Sequence, residues 1–254
     1  MDGRVLFCLV ASVWFLHSSE QVARPFPNER EFFAAAQENV TRSEREQFRF
    51  AFKERRTELH MNPFGRIGTG ETRAYEVTPM DNGAVILRRL IERDGKAVSG
   101  APVQREELRQ RSGRQERKSG IEDTVDVLSF VMDRRETVHG RDAIVVRFEP
   151  KPNARPQTRE GRLARVFKGS IWVDEAAREV TRVEATAIDD ISYGFGLVAR
   201  LNRGTTVTLK RDRIEGTTWL PTSIRFIGQG RALVFRRLNI DHAVEWFDYR
   251  RVGD

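Results

Sequence analysis

Residues 46–61 read EQFRFAFKERRTELHM, and this stretch decides the fold class of the chain. Phe48, Phe50 and Phe52 occupy alternate positions, with mostly polar residues between them. Because successive side chains of a β-strand point to opposite faces of a sheet, a period of two is typical of a strand. The stretch therefore predicts a strand with one buried aromatic face, which ends at the loop signal Asn62-Pro63.

The flanking residues predict a helix before this strand and a hairpin after it. Residues 28–41 begin with the capping residue Asn28, carry acids in the first turn and are rich in alanine, which favours a helix. Residues 72–78 and 84–92 predict two strands joined through Asp81-Asn82-Gly83. An Asn-Gly pair between two strands is a strong hairpin signal, because both central residues of a type I′ turn need a positive φ.

The middle of the chain alternates between polar and apolar segments. Residues 103–118 are almost wholly polar and predict an exposed helix or a mobile excursion. An apolar patch at residues 125–132 and a hairpin around Gly140 come next. Residues 150–156 contain three prolines, which predicts a loop or a linker.

The C-terminal part of the chain repeats one theme of strand and short turn. Turns are predicted at Ala176-Ala177 and Glu215-Gly216. Parallel pairing of such neighbours would need crossovers of a dozen or more residues, so the runs predict an antiparallel meander. The predicted fold class is α+β, with a mostly antiparallel sheet and a few helices. The five runs are GSIWVDE (169–175), REVTRVEATAI (178–188), TTVTLKRDRI (205–214), TWLPTSIRFIG (218–228) and ALVFRRLNIDHAVEWFDYR (232–250).

One uninterrupted apolar stretch, Val5 to Leu16, lies near the start of the chain. It follows Arg4 and precedes Ser18-Ser19, as in a secretory signal, and it is shorter than the roughly 20 residues that span a bilayer. We therefore predict a signal peptide at residues 1–23 and a single domain at 24–254. The alternative is a buried amphipathic first helix.

Cleavage of this segment would change the chemistry that is available to the protein. The only cysteine, Cys8, lies inside it, so the exported chain would hold no thiol for disulfides or zinc. The net charge would rise from +7 to +8, because Arg4, Asp2 and Glu20 are removed together. A basic exported protein is attracted to anionic membrane surfaces and other anionic partners.

The motifs of catalysis and cofactor binding do not occur in the sequence. The four histidines are widely separated, and neither a Gly-x-Ser-x-Gly elbow nor a phosphate-binding Gly-x-x-x-x-Gly-Lys loop is present. Residues 194–199, GFGLVA, match the dinucleotide fingerprint but lack its strand, turn and helix context. Asp189 and Asp190 are adjacent, so on an extended chain they point in opposite directions. We predict that the protein is not an enzyme and has no catalytic residues, metal or cofactor.

Nucleic acid is also excluded as a predicted partner. Arginine pairs such as Arg88-Arg89 and Arg236-Arg237 lie close to aromatic residues. In a strand, the alternation of Phe48, Arg49 and Phe50 sends aromatic and basic side chains to opposite faces, whereas single-strand binding needs both on one face.

The sequence resembles a family of uncharacterised exported bacterial proteins of the Acidobacteria type. The resemblance rests on RTELHMNPFGRIGTG (56–70), TRAYEV (72–77), RLIERDGK (89–96) and RVEATAIDDI (182–191). More distantly, the order of helix, strands, polar insertion and long meander resembles the periplasmic lipoprotein-sorting carriers and a related stress-response lipid sensor. This resemblance implies a curved, unclosed half-barrel, covered by helices, that holds acyl chains on an apolar wall.

The predicted function is that of an exported binding or carrier protein of the periplasm or outer cell envelope. Its ligand would be a lipid or the acyl chain of a lipoprotein, held against alternating aromatic side chains. Two other functions stay open: an envelope stress sensor or scaffold that binds a protein, and a hydrolase of envelope material. Each aromatic residue could equally fill the core. The candidate lining residues are Phe48, Phe50, Phe52, Tyr75, Trp172, Phe226, Phe235 and Trp246.

Overall fold

A computed structural model of the chain describes residues 24–61, 67–107, 119–193, 199–232 and 236–252. The predicted signal peptide at residues 1–23 and the glycine motif at 194–198 lie outside the described residues, so both stay predictions. The helices are α1 (Glu29–Glu46), α2 (Gly120–Val127) and α3 (Arg159–Ala164). The strands are β1 (Phe50–Met61), β2 (Ile67–Met80), β3 (Val85–Arg93), β4 (Lys96–Ala97), β5 (Val103–Glu107), β6 (Leu128–Val138), β7 (Arg141–Pro150), β8 (Phe167–Asp174), β9 (Val180–Ala187), β10 (Ile191–Tyr193), β11 (Ala199–Leu201), β12 (Thr206–Glu215), β13 (Thr218–Ala232) and β14 (Arg236–Arg251).

Within these ranges the strands form one 14-stranded sheet in the order β4-β3-β2-β1-β14-β13-β12-β9-β8-β7-β6. Strand β5 pairs with β3, and the short β10–β11 hairpin joins the sheet through β13. Every strand pair is antiparallel apart from one bridge between Leu238 and Ile67. The sheet is curved and not closed, because its end strands do not pair with each other in the described ranges. The predicted fold class is therefore confirmed.

Strand β1 joins the N-terminal hairpins to the C-terminal meander. It pairs with β2 on one side and with β14 on the other, so that Phe50 lies opposite Arg251. The strand starts two residues later than the alternation of phenylalanines predicts. Residues 47–49 instead continue α1 as a 3-10 turn, in which Gln47 donates its backbone N–H to Arg45 and Ser43. Phe48 lies in this turn and not in the strand.

Helix α1 extends five residues beyond the predicted end at Thr41. Its N-terminus is capped as predicted, because the side chain of Asn28 accepts the backbone N–H of Glu31 at 3.1 Å. Phe32 and Ala36 bury one face of the helix against Ile144, Val146 and Val173 of the sheet.

Two further helices, α2 and α3, are not predicted by the sequence. Ser119 and Glu122 form a capping box that begins α2, and the predicted apolar patch at 125–132 is divided between the end of α2 and the start of β6. The prolines at 150–156 lie in a loop, as predicted, and Thr158 caps α3 directly after it.

The predicted exposed helix or excursion at 103–118 is wrong over its first five residues. Val103–Glu107 form the exposed edge strand β5, which pairs with β3. Backbone hydrogen bonds to β3 favour the extended conformation even though every side chain of the strand is polar or exposed. Residues 108–118 lie outside the described residues.

The hairpin between β2 and β3 is confirmed, but its turn differs from the predicted type. Positive φ values occur at Asp81 (50°) and Gly83 (85°), whereas a type I′ turn would place them at Asn82 and Gly83. A short 3-10 turn over Asp81–Gly83 makes the connection. It brings Gly83 under the ring of Phe48, where a Cβ atom would lie 2.2 Å from Cδ1 of that ring.

The sheet has two chemically different faces. We call the side that bears Ile144, Val146 and Phe148 the helix face, because α1, α2 and α3 pack on it. The other side, the outer face, bears Ala143 and Val145. None of the helices in the described ranges is long and apolar enough to cross a membrane.

Candidate functional site

A single row of apolar side chains crosses the helix face from one strand to the next. Residues that pair directly across neighbouring strands share a face, so the strand register defines this row. It crosses seven strands and extends over roughly 29 Å at the usual strand spacing of about 4.8 Å. We call it the apolar row: Met132, Val146, Ile171, Val183, Leu209, Ile224 and Val244.

Two members of the apolar row are buried, and the others are partly exposed. Val146 is 1% exposed and Val244 is 9% exposed, whereas Leu209 and Ile224 are only half-buried. Helices α2 and α3 and the residues around them pack on the neighbouring apolar cluster that includes Phe148 and Leu238. The row therefore presents accessible apolar surface where it crosses β12 and β13.

The chemistry of the row changes abruptly at β1. Val244 pairs with Arg56, Arg56 pairs with Arg73, and Arg73 pairs with Arg93. Seven apolar positions are thus followed by three arginines on the same face. The helix face carries a long apolar surface with a basic end.

Tyr75 is the centre of this basic end. The guanidinium carbon of Arg56 lies 4.7 Å from the ring centroid of Tyr75, and that of Arg88 lies 5.7 Å from it. Arg56 also reaches the hydroxyl oxygen of Tyr75 at 3.5 Å. The tyrosine itself is 6% exposed, so both cation–π contacts form in a largely desolvated setting, where they are strongest.

Glu54 is a carboxylate that lies close to both arginines. It accepts a hydrogen bond from the indole Nε1 of Trp246 at 3.3 Å. Arg56 lies 3.6 Å and Arg88 lies 3.9 Å from its Oε1 atom, which is ion-pair distance but beyond hydrogen-bond distance. Within the described residues, Oε1 of Glu54 and Nε of Arg88 are buried without a hydrogen-bond partner. We call Glu54, Arg56, Tyr75 and Arg88 the Tyr75 site.

Four of the predicted lining residues lie close to this site. Phe52, Tyr75 and Trp246 belong to one cluster on the helix face, together with Tyr249. Phe50, which is 1% exposed, meets the ring of Tyr249 edge-on at 6.2 Å. Burial raises the pKa of Tyr249, and its hydroxyl donates to the backbone oxygen of Pro221 at 2.6 Å.

Of the other four candidates, the three in the described ranges lie apart from that cluster. Phe226 is half-buried on the helix face, opposite Val207. Phe48 is 39% exposed and covers Gly83. Phe235 lies outside the described residues. That any of the eight candidates lines a ligand stays a prediction.

Trp172 lies on the outer face, opposite to the Tyr75 site. It packs with Ala143 and Val145, and its Nε1 donates to Glu136 at 2.7 Å. Arg182 lies over its ring at 4.8 Å. The hydrogen bond from Trp172, followed by that from Arg134, lowers the pKa of Glu136.

A cavity of about 430 Å³ lies at the end of the sheet and not along the apolar row. His139, Arg213 and Trp219 line it together with the ion pair of Arg141 and Asp174. Burial raises the pKa of Asp174, but the hydrogen bonds from Arg141 and from the backbone of Ala177 and Ala176 outweigh it, so the net shift is downward. Its carboxylate is fully engaged in the protein's own contacts.

Sequence reasoning missed the arginines of the Tyr75 site. In the run Phe52-Lys53-Glu54-Arg55-Arg56, the alternation places Phe52, Glu54 and Arg56 on the helix face and the two other cations on the outer face. The sequence does indicate the face on which Arg56 lies, because Arg56 occupies the same alternate positions as the phenylalanines. The alternation that separates Arg49 from the phenylalanines equally places Arg56 on their face.

The chain was compared with known proteins. No protein-family model and no curated protein matches it. It is similar to the crystal structure of a DUF1329 family protein from Desulfovibrio piger, with 13% identity, a TM-score of 0.34, and coverage of 87% of this chain and 94% of that chain.

Two further solved structures are similar to the chain. A putative outer membrane lipoprotein-sorting protein domain from Vibrio parahaemolyticus matches with 15% identity and a TM-score of 0.36, over 88% of this chain and 93% of that chain. A LolA superfamily protein from Nitrosomonas europaea matches with 14% identity and a TM-score of 0.34, over 90% of this chain and 95% of that chain. The predicted distant similarity to lipoprotein-sorting carriers is confirmed. At these values the similarity assigns no ligand to this chain.

Proposed function

We propose that this protein is a non-catalytic binding or carrier protein of the cell envelope, for a lipid or the acyl chain of a lipoprotein. The observation that carries the proposal is the apolar row, whose central members Leu209 and Ile224 are half-buried on the helix face. Partly exposed apolar side chains that continue across a curved sheet provide a surface for one extended apolar ligand.

The charge of the protein supports the same proposal. The chain has a net charge of +7, which favours contact with anionic membranes. Attraction of this kind would bring a carrier to the surface from which it takes its ligand. It would weaken as the salt concentration rises, because exposed charges are screened.

Extraction of the purified protein tests the proposal directly. Residues 24–254 would be produced in the periplasm of a bacterial host, purified without detergent and extracted with organic solvent for mass spectrometry. The proposal expects about one lipid per protein. An empty extract, together with no binding of a neutral pyrene-labelled long-chain alcohol, would overturn it, and co-purification of a protein alone would favour the scaffold function.

A matched pair of variants tests the place of binding. Leu209→Trp places an indole in the middle of the apolar row, whereas Thr208→Trp places the same indole on the outer face of the same strand. Overpacking costs about 1–3 kcal/mol, so Leu209→Trp is expected to weaken binding of the alcohol by about fivefold or more. Thr208→Trp is expected to leave it unchanged. Equal effects of the two substitutions would contradict binding along the row.

A further inference from the structure

We propose that Arg56 and Arg88 bind the anionic group of an amphiphile whose apolar part lies along the apolar row. The ligand class is a long-chain molecule with a terminal carboxylate or phosphate. This inference rests on the proposed function and adds to it the charge of the ligand and the residues that select it.

The first argument is position. Arg56 pairs directly with Val244, the last member of the apolar row. Arg88 lies two strands further along the sheet, and both guanidinium groups meet over the ring of Tyr75. A molecule that extends along the row toward β1 therefore reaches two cations at its end. A neutral apolar ligand would leave this end of the surface unmatched.

The second argument is solvation. The side chains of Arg56 and Arg88 are 29% and 21% exposed, so each has lost most of its water and still offers an accessible part. Charge interactions are stronger where water is largely excluded. The ring of Tyr75 lies within cation–π distance of both guanidinium groups and helps to position them.

The third argument is unmet hydrogen bonding. The Nε–H of Arg88 is buried and donates to no atom in the described ranges. A buried donor without an acceptor costs about 1–3 kcal/mol, and native proteins rarely tolerate one without a functional reason. The protein's own acceptors therefore do not saturate Arg88, and an anionic oxygen at the accessible part of its guanidinium group would add a charge-assisted hydrogen bond, the strongest kind.

Glu54, Glu106 and Glu71 are described carboxylates that lie near the site. Glu54 lies beyond hydrogen-bond distance of both arginines and is held by Trp246. Glu106 lies 3.4 Å from Arg88 but is 53% exposed, so water screens it. Arg73 and Arg93 are occupied by Glu71. Glu54 therefore balances the charge of the two arginines and opposes an anion that binds to them.

The test compares two ligands that differ only in charge. A pyrene-labelled fatty acid and the pyrene-labelled alcohol of equal chain length would be titrated by fluorescence into the full chain from residue 24. We expect the acid to bind at least tenfold more tightly than the alcohol. Equal affinities would overturn the inference and leave the proposed function standing, whereas no binding of either would overturn the proposed function itself.

Variants assign the effect to the arginines. Arg88→Gln is expected to weaken binding of the acid by about tenfold, which matches the loss of one charge-assisted hydrogen bond, and to leave the alcohol within about twofold. Arg89→Gln is the matched control, because Arg89 lies on the outer face of the same strand and also contacts a glutamate. An equal loss for both ligands, or an equal effect of the control, would contradict the inference.

A gain of affinity provides a readout that misfolding cannot mimic. Glu54→Gln removes the competing carboxylate and keeps the side-chain shape, so it should strengthen binding of the acid several-fold and leave the alcohol unchanged. Unchanged or weaker binding of the acid in a folded Glu54→Gln protein would contradict the inference. Inorganic phosphate is titrated as the last ligand. If it bound as tightly as the fatty acid, the site would be one for free anions, and the inference of an amphiphilic ligand would be wrong.

Discussion

Glu179 and Arg211 form an ion pair of 3.4 Å whose side chains are 2% and 7% exposed. Arg211 also donates to the backbone oxygens of Val180 and Trp219 at 2.9 Å each. On the other side, Arg42 of α1 reaches Glu179 at 3.1 Å. One buried carboxylate thus connects the helix to strands β12 and β13 through two arginines.

Removal of Arg211 is expected to destabilise the protein more than removal of the whole pair. Arg211→Met leaves the carboxylate of Glu179 buried beside one exposed cation, and such a loss costs about 3–5 kcal/mol. The double variant Arg211→Met with Glu179→Leu should be less destabilised, because it buries no unpaired charge. Urea unfolding of wild type, both single variants and the double variant measures this. A double variant that is no more stable than Arg211→Met would contradict the expectation.

A lower pH should restore part of the stability that Arg211→Met loses. Burial already raises the pKa of Glu179, with Arg211 and then Arg42 opposing this effect. Without Arg211 the pKa would rise further, and a carboxyl whose folded pKa exceeds its unfolded value gains stability as the pH falls through the folded pKa. The deficit of the variant relative to wild type should therefore shrink between pH 7 and pH 5. Urea unfolding at the two pH values checks this, and a constant deficit would contradict it.

The pH dependence of stability that we expect from Asp174 has the opposite sign to that from Glu179. Burial raises its pKa, but the hydrogen bonds from Arg141 and two backbone N–H groups leave the net pKa below the ordinary value. The contribution of Asp174 to the free energy of unfolding is therefore present above about pH 4. It is lost as the pH falls through the pKa of the folded state. Asp174→Asn should cost about 2 kcal/mol at pH 7 and progressively less below pH 4. Asp142→Asn, on an exposed neighbour, is the control and should change stability little at either pH.

Asn39 fixes α1 to the turn between β8 and β9. Its side-chain amide donates to the backbone oxygens of Ala177 and Arg178, at 3.0 Å each. Asn39→Ala should cost about 1–3 kcal/mol and increase amide hydrogen exchange along α1, because both carbonyl groups lose their partner. Glu38→Ala, at an exposed neighbouring position, should change neither. Unchanged exchange in the Asn39 variant would show that the other contacts of α1, the packing of Phe32 and the Arg42–Glu179 ion pair, hold the helix without Asn39.

The antiparallel sheet could be predicted because its strands alternate. The period of two in β1 and in the C-terminal runs is a local property, and the Asn-Gly signal correctly marked the β2–β3 hairpin. The pairing of β1 with β14 joins residues about 200 positions apart, for example Phe50 and Arg251, and no local pattern encodes it. Helices α2 and α3 are only 8 and 6 residues long, too short for a helical period to stand out.

The candidate site was predicted only in part, for a related reason. Aromatic residues on one face of β1 and β2 could be assigned from parity, and Phe52 and Tyr75 do share the helix face. The Tyr75 site needs Arg88 from β3 beside Arg56 from β1, which depends on the register of two strand pairs and on a bulge near Tyr75. Register follows from turn geometry and packing, so these contacts become visible only in the folded chain.

At Gly161 of α3 we expect replacement by alanine to have the opposite effect on stability to the usual one. Replacement of a helical glycine by alanine normally stabilises a protein by about 1 kcal/mol. Here a Cβ atom on Gly161 would lie 2.1 Å from Oδ2 of Asp123, which is 1% exposed and belongs to α2. That oxygen accepts three hydrogen bonds, from the backbone of Gln157 and from the backbone and hydroxyl of Thr158, at 2.7–2.8 Å. It has little freedom to move.

Gly161→Ala should therefore destabilise the protein by about 1–3 kcal/mol, as overpacking does elsewhere. The matched experiment repeats the substitution in an Asp123→Ala background, where the carboxylate is absent. There Gly161→Ala should lose most of its penalty, because the clash with the carboxylate is gone and only a contact of 3.2 Å with Cβ of Pro156 opposes the gain in helix propensity. Thermal and urea unfolding of the four proteins measures the coupling. If alanine at position 161 cost the same in both backgrounds, the close approach of α3 to Asp123 would not limit this position.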